Sequence, residues 1–186
     1  MSSVKRYIRR QMATTNSVVN TLSLIDDGVI VAGDGPRDWA LGSKADQVNI
    51  YVRSVHKSFY SRLAVLVHLF SHNSVVSLSG KDCIFNLVVS GVLFNITFVS
   101  PETNTQNISS LLPTDLCNVR YEDGCLVKSK EFNKALSSGV VGYNKAFIGT
   151  EQLDRISNRL CLKFGFSPYS ENSNASHECL LYEHYV

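Results

Sequence analysis

Charge is scarce in this chain of 186 residues: Asp, Glu, Lys and Arg make up 18% of it, against 44% aliphatic, aromatic and cysteine residues. That balance excludes disorder throughout and calls for a packed core. Long apolar runs are scarce too. No stretch of about 18 uncharged apolar residues occurs, and the nearest candidate, 83–99, is interrupted by Asn86, Ser90, Gly91 and Asn95. A membrane-spanning helix is not expected. Nor is a secretory signal, because Ala13, Thr14, Thr15, Asn16 and Ser17 after the basic N-terminal residues are too polar for its apolar centre. The cytosolic side is the expected placement. The five cysteines (Cys83, Cys117, Cys125, Cys161, Cys179) are odd in number and lack C-x-x-C spacing, so reduced thiols are expected. The sequons at Asn95, Asn107 and Asn174 are then expected to be unused.

Catalytic signatures are missing as well. Gly80-Lys81 is followed by Asp82 without the upstream glycine of a phosphate loop, and no G-x-S-x-G nucleophile elbow occurs. Gly33-Asp34-Gly35 is too short for a dinucleotide fingerprint. His68 and His72 stand four apart, a spacing that can share a metal. The glutamate of H-E-x-x-H is absent and no third ligand is near, so a structural or solvent-facing pair is expected. Asp26 and Asp27 beside Gly28 read as turn residues. The expectation is no catalytic residue, no metal and no cofactor.

What is present is a charge asymmetry. Four of the 18 basic residues (Lys5, Arg6, Arg9, Arg10) and none of the 16 acidic ones fall in the first 25 positions. Such a tip suits an anionic partner, either phosphate backbone or an acidic membrane leaflet, and avidity among linked copies would strengthen a hold weak in a single copy. Residues 1–17 are read as a flexible basic arm and 18–186 as one globular domain.

Along the chain, the runs 21–25 and 29–32 around Asp26-Asp27-Gly28 suggest a hairpin. Residues 33–43 read as a loop containing the only tryptophan, Trp39. From position 48, Val48, Ile50 and Val52 alternate with Asn49, Tyr51 and Arg53, the mark of a half-buried strand. Phe59, Leu63, Leu66, Val67 and Phe70 then recur at helical steps over 58–73. A further strand is expected at 75–79, and 83–99 reads as a buried helical turn or strand followed by a strand in which Val92, Phe94, Ile96 and Phe98 alternate. Residues 100–114 read as an exposed loop that nevertheless carries Ile108, Leu111 and Leu112. Asp123-Gly124 signals a second hairpin, and 139–148 one more strand. A last helix is expected, with Thr150 as cap, a stripe of Leu153, Ile156 and Leu160, Arg159 and Lys163 towards its end, and Gly165 closing it. Neighbouring strands with interspersed helices and no βαβ alternation imply an α+β domain: a twisted antiparallel sheet with helices packed on it.

Two resemblances follow. Thr14-Thr15 with the segment from Asp27 to Gly35 resembles the start of proteasome-type N-terminal-threonine hydrolases, although the aspartate lies farther from the threonine and the family's lysine has no clear counterpart. A longer resemblance covers about 47–166. Val52-Arg53-Ser54, Ala64-Val65 with His68, Gly80-Lys81, Phe85 through Leu87-Val88 to Gly91, and the run from Leu160 to Phe166 are similar, in order, to rhabdovirus matrix proteins, plant cytorhabdovirus members in particular. That resemblance implies a non-enzymatic structural protein of virion assembly and budding, placed beneath the envelope and in the host cytoplasm. Its partners would be further copies of itself, the anionic inner membrane leaflet, viral nucleoprotein-RNA and a glycoprotein cytoplasmic tail. Lys5, Arg6, Arg9 and Arg10 would contact membrane or nucleocapsid. Ile108, Leu111 and Leu112 would form a self-association or membrane loop, or else pack back on their own domain. The P-P-x-Y and P-[ST]-A-P motifs of animal-virus members are absent. An accessory or adaptor domain without assembly remains a third reading.

Overall fold

The computed structural model describes residues 3–24, 28–53, 76–79, 84–99 and 102–168. Seven strands, β1 (Val29–Ala32), β2 (Gln47–Arg53), β3 (Val76–Ser79), β4 (Ile84–Val89), β5 (Val92–Val99), β6 (Val119–Glu122) and β7 (Cys125–Lys128), form one sheet in the order β3-β4-β5-β2-β1-β6-β7. Every neighbouring pair is antiparallel except β2 and β5, which run parallel. Two short strands, β8 (Val140–Val141) and β9 (Ser167–Pro168), pair separately. Among the described residues four helices accompany them: α1 (Ser3–Ser23), α2 (Asp34–Ala40), α3 (Lys130–Ser138) and α4 (Glu151–Phe164). The chain is thus a single α+β domain, its sheet mixed rather than wholly antiparallel.

The two-residue period sorts the sheet into two faces. Val48, Ile50 and Val52 of β2 and Val92, Phe94 and Ile96 of β5 are all buried in one core with Val18 and Leu22 of α1 and Trp39 of α2. Each such side chain contributes about 1.5–3 kcal/mol by leaving water. A second core joins α3 and α4 through Phe132, Ala135, Ile156 and Leu160, with Leu116 and Val119 beneath them. The Asp123-Gly124 turn joins β6 to β7 with φ of 47° and 82°, the left-handed pair that a two-residue hairpin demands. The last helix begins where Thr150 accepts from the Leu153 N–H and ends at left-handed Gly165, as its sequence signals require.

Several expectations change. The basic segment expected as a flexible arm is helical from Ser3 onward, and α1 continues to Ser23, so 21–23 is a helix end and not part of a hairpin strand. Gln11, Thr15, Val18 and Leu22, at four- and three-residue steps, form its buried stripe. Gln11 anchors it: its Nε2 donates to the Ala45 carbonyl at 2.7 Å, while its Oε1 accepts from Trp39 Nε1 and from the Ala45 N–H, both at 3.0 Å. The segment 33–43, expected as a loop, contains α2. Pro36 is tolerated because it lies in the first turn, where N–H groups lack intrahelical partners. The strand expected over 139–148 shrinks to Val140–Val141. The expected helix over 58–73 with His68 and His72, together with Asp26, Asp27, Cys83 and Cys179, lies outside the described residues.

The apolar loop expected to be exposed is folded inward. Ile108–Leu111 forms a 3-10 turn in which Asn104 and Asn107 bond each other's backbone. Ile108 and Leu112 are buried with Ile30, Ala32, Tyr51 and Cys117, and only Leu111 stays 37% exposed. These residues cover the second face of the sheet rather than offering a surface for self-association or membrane. Leu112→Ala is therefore expected to destabilise the protein by about 2–5 kcal/mol. Leu111→Ala should change stability by less than about 0.5 kcal/mol. Urea unfolding of both variants checks the contrast, and equal effects would contradict the packing.

Candidate functional site: an amide-lined pocket beside a buried ion network

The parallel pairing of β2 with β5 sets Gln47 beside Leu93, Asn49 beside Asn95 and Tyr51 beside Thr97. Because Val48, Ile50, Phe94 and Ile96 point into the core, the alternate residues must share the opposite face. Asn49, Tyr51, Asn95 and Thr97, with Gln47 at the start of β2, line a cavity of about 310 Å³ that Glu151 and Arg155, one turn apart on α4, complete. The size suits a small ligand. Asn95 Nδ2 donates to Asn49 Oδ1 at 3.5 Å, leaving donors and acceptors of both carboxamides for a ligand. Burial, then the nearby Asp34 charge, pushes the Tyr51 phenol well above its ordinary value, so it remains neutral and able to donate.

Behind this floor lies a buried ion network. Gly33, with φ of 85°, turns the chain from β1 into α2 and brings Asp34 within hydrogen-bonding reach of Gln47. Asp34 Oδ2 accepts from Gln47 Nε2 at 3.2 Å, while its Oδ1 accepts from Arg37 at 2.8 Å. Arg37, fully buried, also donates to Asp38 Oδ1 from Nε at 2.9 Å and from a second guanidinium nitrogen at 2.8 Å. The remaining Asp38 oxygen accepts from Arg159 of α4, which also holds Asp46 just before β2. The network therefore ties α2, β2 and α4 together around the pocket. Burial alone would lower the Arg37 pKa, but the neighbouring Asp34 and Asp38 carboxylates more than offset it and the pKa rises. Burial pushes Asp38 up, against the pull of Arg37 and Arg159. Cys117 receives hydrogen bonds from Arg37 at 3.5 Å and Thr114 at 3.3 Å, and burial pushes its thiol up, so it stays protonated.

The sequence-derived candidates lie elsewhere. Lys5, Arg6, Arg9 and Arg10 are exposed on α1, away from its buried stripe, and Ile108, Leu111 and Leu112 sit in the turn already described. Of the Thr14-Thr15 pair in the threonine-hydrolase reading, Thr15 is buried mid-helix with its hydroxyl donated to the Gln11 carbonyl. Thr14 is likewise bonded to the Arg10 carbonyl. Alternation had identified Asn49 and Tyr51 as facing away from the core. The parallel strand pairing that brings Asn95 beside them has no local signal. The three-residue Asp34-to-Arg37 spacing, which suits a helical ion pair, was available but lay in a segment read as loop.

No protein-family model and no curated protein matches the chain. Solved structures do. A CCA-adding enzyme in apo form superposes with a TM-score of 0.61 at 15% identity, covering 86% of this chain and 40% of that one. A CCA-adding enzyme with CTP gives 0.59 at 17% identity, covering 83% and 40%. The Thermotoga maritima CCA-adding enzyme complexed with tRNA gives 0.58 at 16%, again covering 83% and 40%. The shared property is the fold, and this chain spans about two fifths of the length of those proteins. The rhabdovirus matrix reading is corrected accordingly. The matching solved structures named here are CCA-adding enzymes, one with CTP and one with tRNA, and none is a matrix protein, which overturns the expectation of a non-enzymatic budding protein. Membrane leaflet, nucleoprotein-RNA, glycoprotein tail and self-assembly fall as expected partners with it. The threonine-hydrolase and adaptor readings find no support either.

Nucleotide transfer from a triphosphate generally uses Mg²⁺ held on carboxylates and phosphates. The residues around this pocket do not fit such an ion. Its floor supplies carboxamides and hydroxyls, Asp34 is already engaged by Arg37 and Gln47, and Glu151 is accompanied by Arg155. Among the described residues no group of three or more His, Cys, Asp or Glu converges on one point.

Proposed function

We propose that the chain is a ribonucleotide-binding domain of the nucleotidyltransferase type, holding a nucleoside in the β2–β5 pocket and an RNA strand on the basic side of α1. The observation that carries this reading is the juxtaposition of Asn49, Asn95 and Gln47 in a concave site faced by Arg155. Carboxamides offer a donor and an acceptor side by side, the pairing that reads base edges, and an arginine suits a phosphate. The likeness of fold to enzymes crystallised with CTP and with tRNA supports the same ligand class.

The test is equilibrium binding of ribonucleoside triphosphates and of a short single-stranded RNA, followed by fluorescence anisotropy. Asn95→Leu should weaken nucleotide binding at least about tenfold, equivalent to 1.4 kcal/mol, with the thermal unfolding midpoint as a folding control. Unchanged affinity in a folded variant would overturn the assignment of the pocket.

A further inference from the structure

We infer that this pocket binds its ribonucleotide without a divalent cation, an inference that rests on the nucleotide-binding reading above. The chemistry of the side chains argues it. Gln47, Asn49 and Asn95 present carboxamides, Thr97 a hydroxyl and Tyr51 a phenol, all neutral. Mg²⁺ sheds water reluctantly and is held in proteins by one or two carboxylates together with substrate phosphates. Neutral carboxamide oxygens supply none of that charge.

Asp34, the carboxylate bonded to the floor, has both oxygens committed. One faces the Arg37 guanidinium at 2.8 Å and the other accepts from Gln47 at 3.2 Å. A dication placed at Asp34 would meet Arg37, held by two further hydrogen bonds to Asp38 and unable to withdraw. At the mouth, Glu151 and Arg155 bring one charge of each sign. The site is therefore near neutral. What it offers a nucleotide is hydrogen bonding to the base and sugar, and one guanidinium for phosphate. In this arrangement Arg155 does what a cation does elsewhere, compensating phosphate charge, but from a fixed position on α4.

The experiment measures affinity for a ribonucleoside triphosphate in Mg²⁺ and in excess EDTA, using the full chain. The expected result is dissociation constants that agree within about twofold, and a further loss of at least about tenfold for Arg155→Gln in both conditions, since one charge-assisted contact accounts for that much. A second readout needs no nucleotide: Mn²⁺ titration followed by electron paramagnetic resonance. The unaltered protein should show no site tighter than millimolar, whereas the double variant Gln47→Asp with Asn49→Asp, which puts two carboxylates on the same strand face, should gain one. Nucleotide binding that disappears in EDTA, or a tight Mn²⁺ site in the unaltered protein, would overturn the inference and leave the nucleotide-binding reading standing. No binding in either condition would overturn both.

Discussion

Arg37→Met is expected to cost about 3–5 kcal/mol of folding stability, because it leaves the buried Asp38 carboxylate with only the partly exposed Arg159 to compensate it. Arg37 is fully buried and bonded to Asp34 and Asp38, the latter also buried. Methionine approximates the volume, so the loss reflects uncompensated charge rather than a cavity. A pH dependence follows. Burial already raises the Asp38 pKa, and Arg37 is the largest influence pulling it back. Without that pull the folded-state pKa climbs further above the unfolded value of about 3.9. A group whose folded pKa is raised stabilises the fold below its unfolded pKa and loses that contribution as pH rises through the folded value. The deficit of the variant should therefore shrink as pH falls towards 4. Urea unfolding of both proteins at pH 7 and near pH 4 measures it. A deficit below about 1 kcal/mol at pH 7 would mean that the network does not hold the pocket together.

Changing Lys5, Arg6, Arg9 and Arg10 together to alanine is expected to produce the largest change in ligand binding. On a helix of 3.6 residues per turn Arg6 and Arg9 lie opposite Gln11, Thr15, Val18 and Leu22, the stripe that packs α1 on the sheet, and Lys5 and Arg10 lie on its exposed flanks. Their replacement leaves the buried stripe itself unchanged. If all four neutralise phosphates of single-stranded RNA, log affinity should fall against log salt with a slope steeper by about 2.8 than in the variant, at about 0.7 per phosphate. Between 50 and 200 mM salt the unaltered protein would then lose roughly 50-fold in affinity through these contacts alone. Anisotropy titrations at three salt concentrations give both slopes. Parallel slopes would remove α1 from the RNA surface.

These two effects fall on elements that were unequally visible in the sequence. The Asp123-Gly124 hairpin, the strand at 48–52 and the Thr150-to-Gly165 helix were legible because each is specified locally, by a left-handed turn pair, a two-residue period and a pair of caps. The helical state of the N-terminal residues was not, because its anchor is Gln11, a polar residue whose partners Trp39 and Ala45 are distant in sequence. Charge drew attention to the solvent-facing side of that helix and away from the side that docks it. The pocket was half legible: alternation placed Asn49 and Tyr51 outward, but only the parallel alignment of β2 with β5 joins Asn95 to them. The matrix-protein resemblance rested on short alternating apolar segments in order, which any α+β sheet of similar element order reproduces. Ile108 and Leu112 misled for a related reason. Their neighbours Asn104, Asn107, Ser109 and Ser110 are loop-forming, yet the turn they make is the lid of a core.

The central claim is that the carboxamides of Gln47, Asn49 and Asn95 touch the ligand. Nuclear magnetic resonance of their side-chain NH₂ groups tests it directly, during titration with a ribonucleoside triphosphate. The account predicts that these three pairs of resonances shift together and saturate with one dissociation constant, while that of Gln11, buried on the other side of β2, stays in place. Saturable shifts confined to other residues, or none at all at millimolar nucleotide, would contradict it.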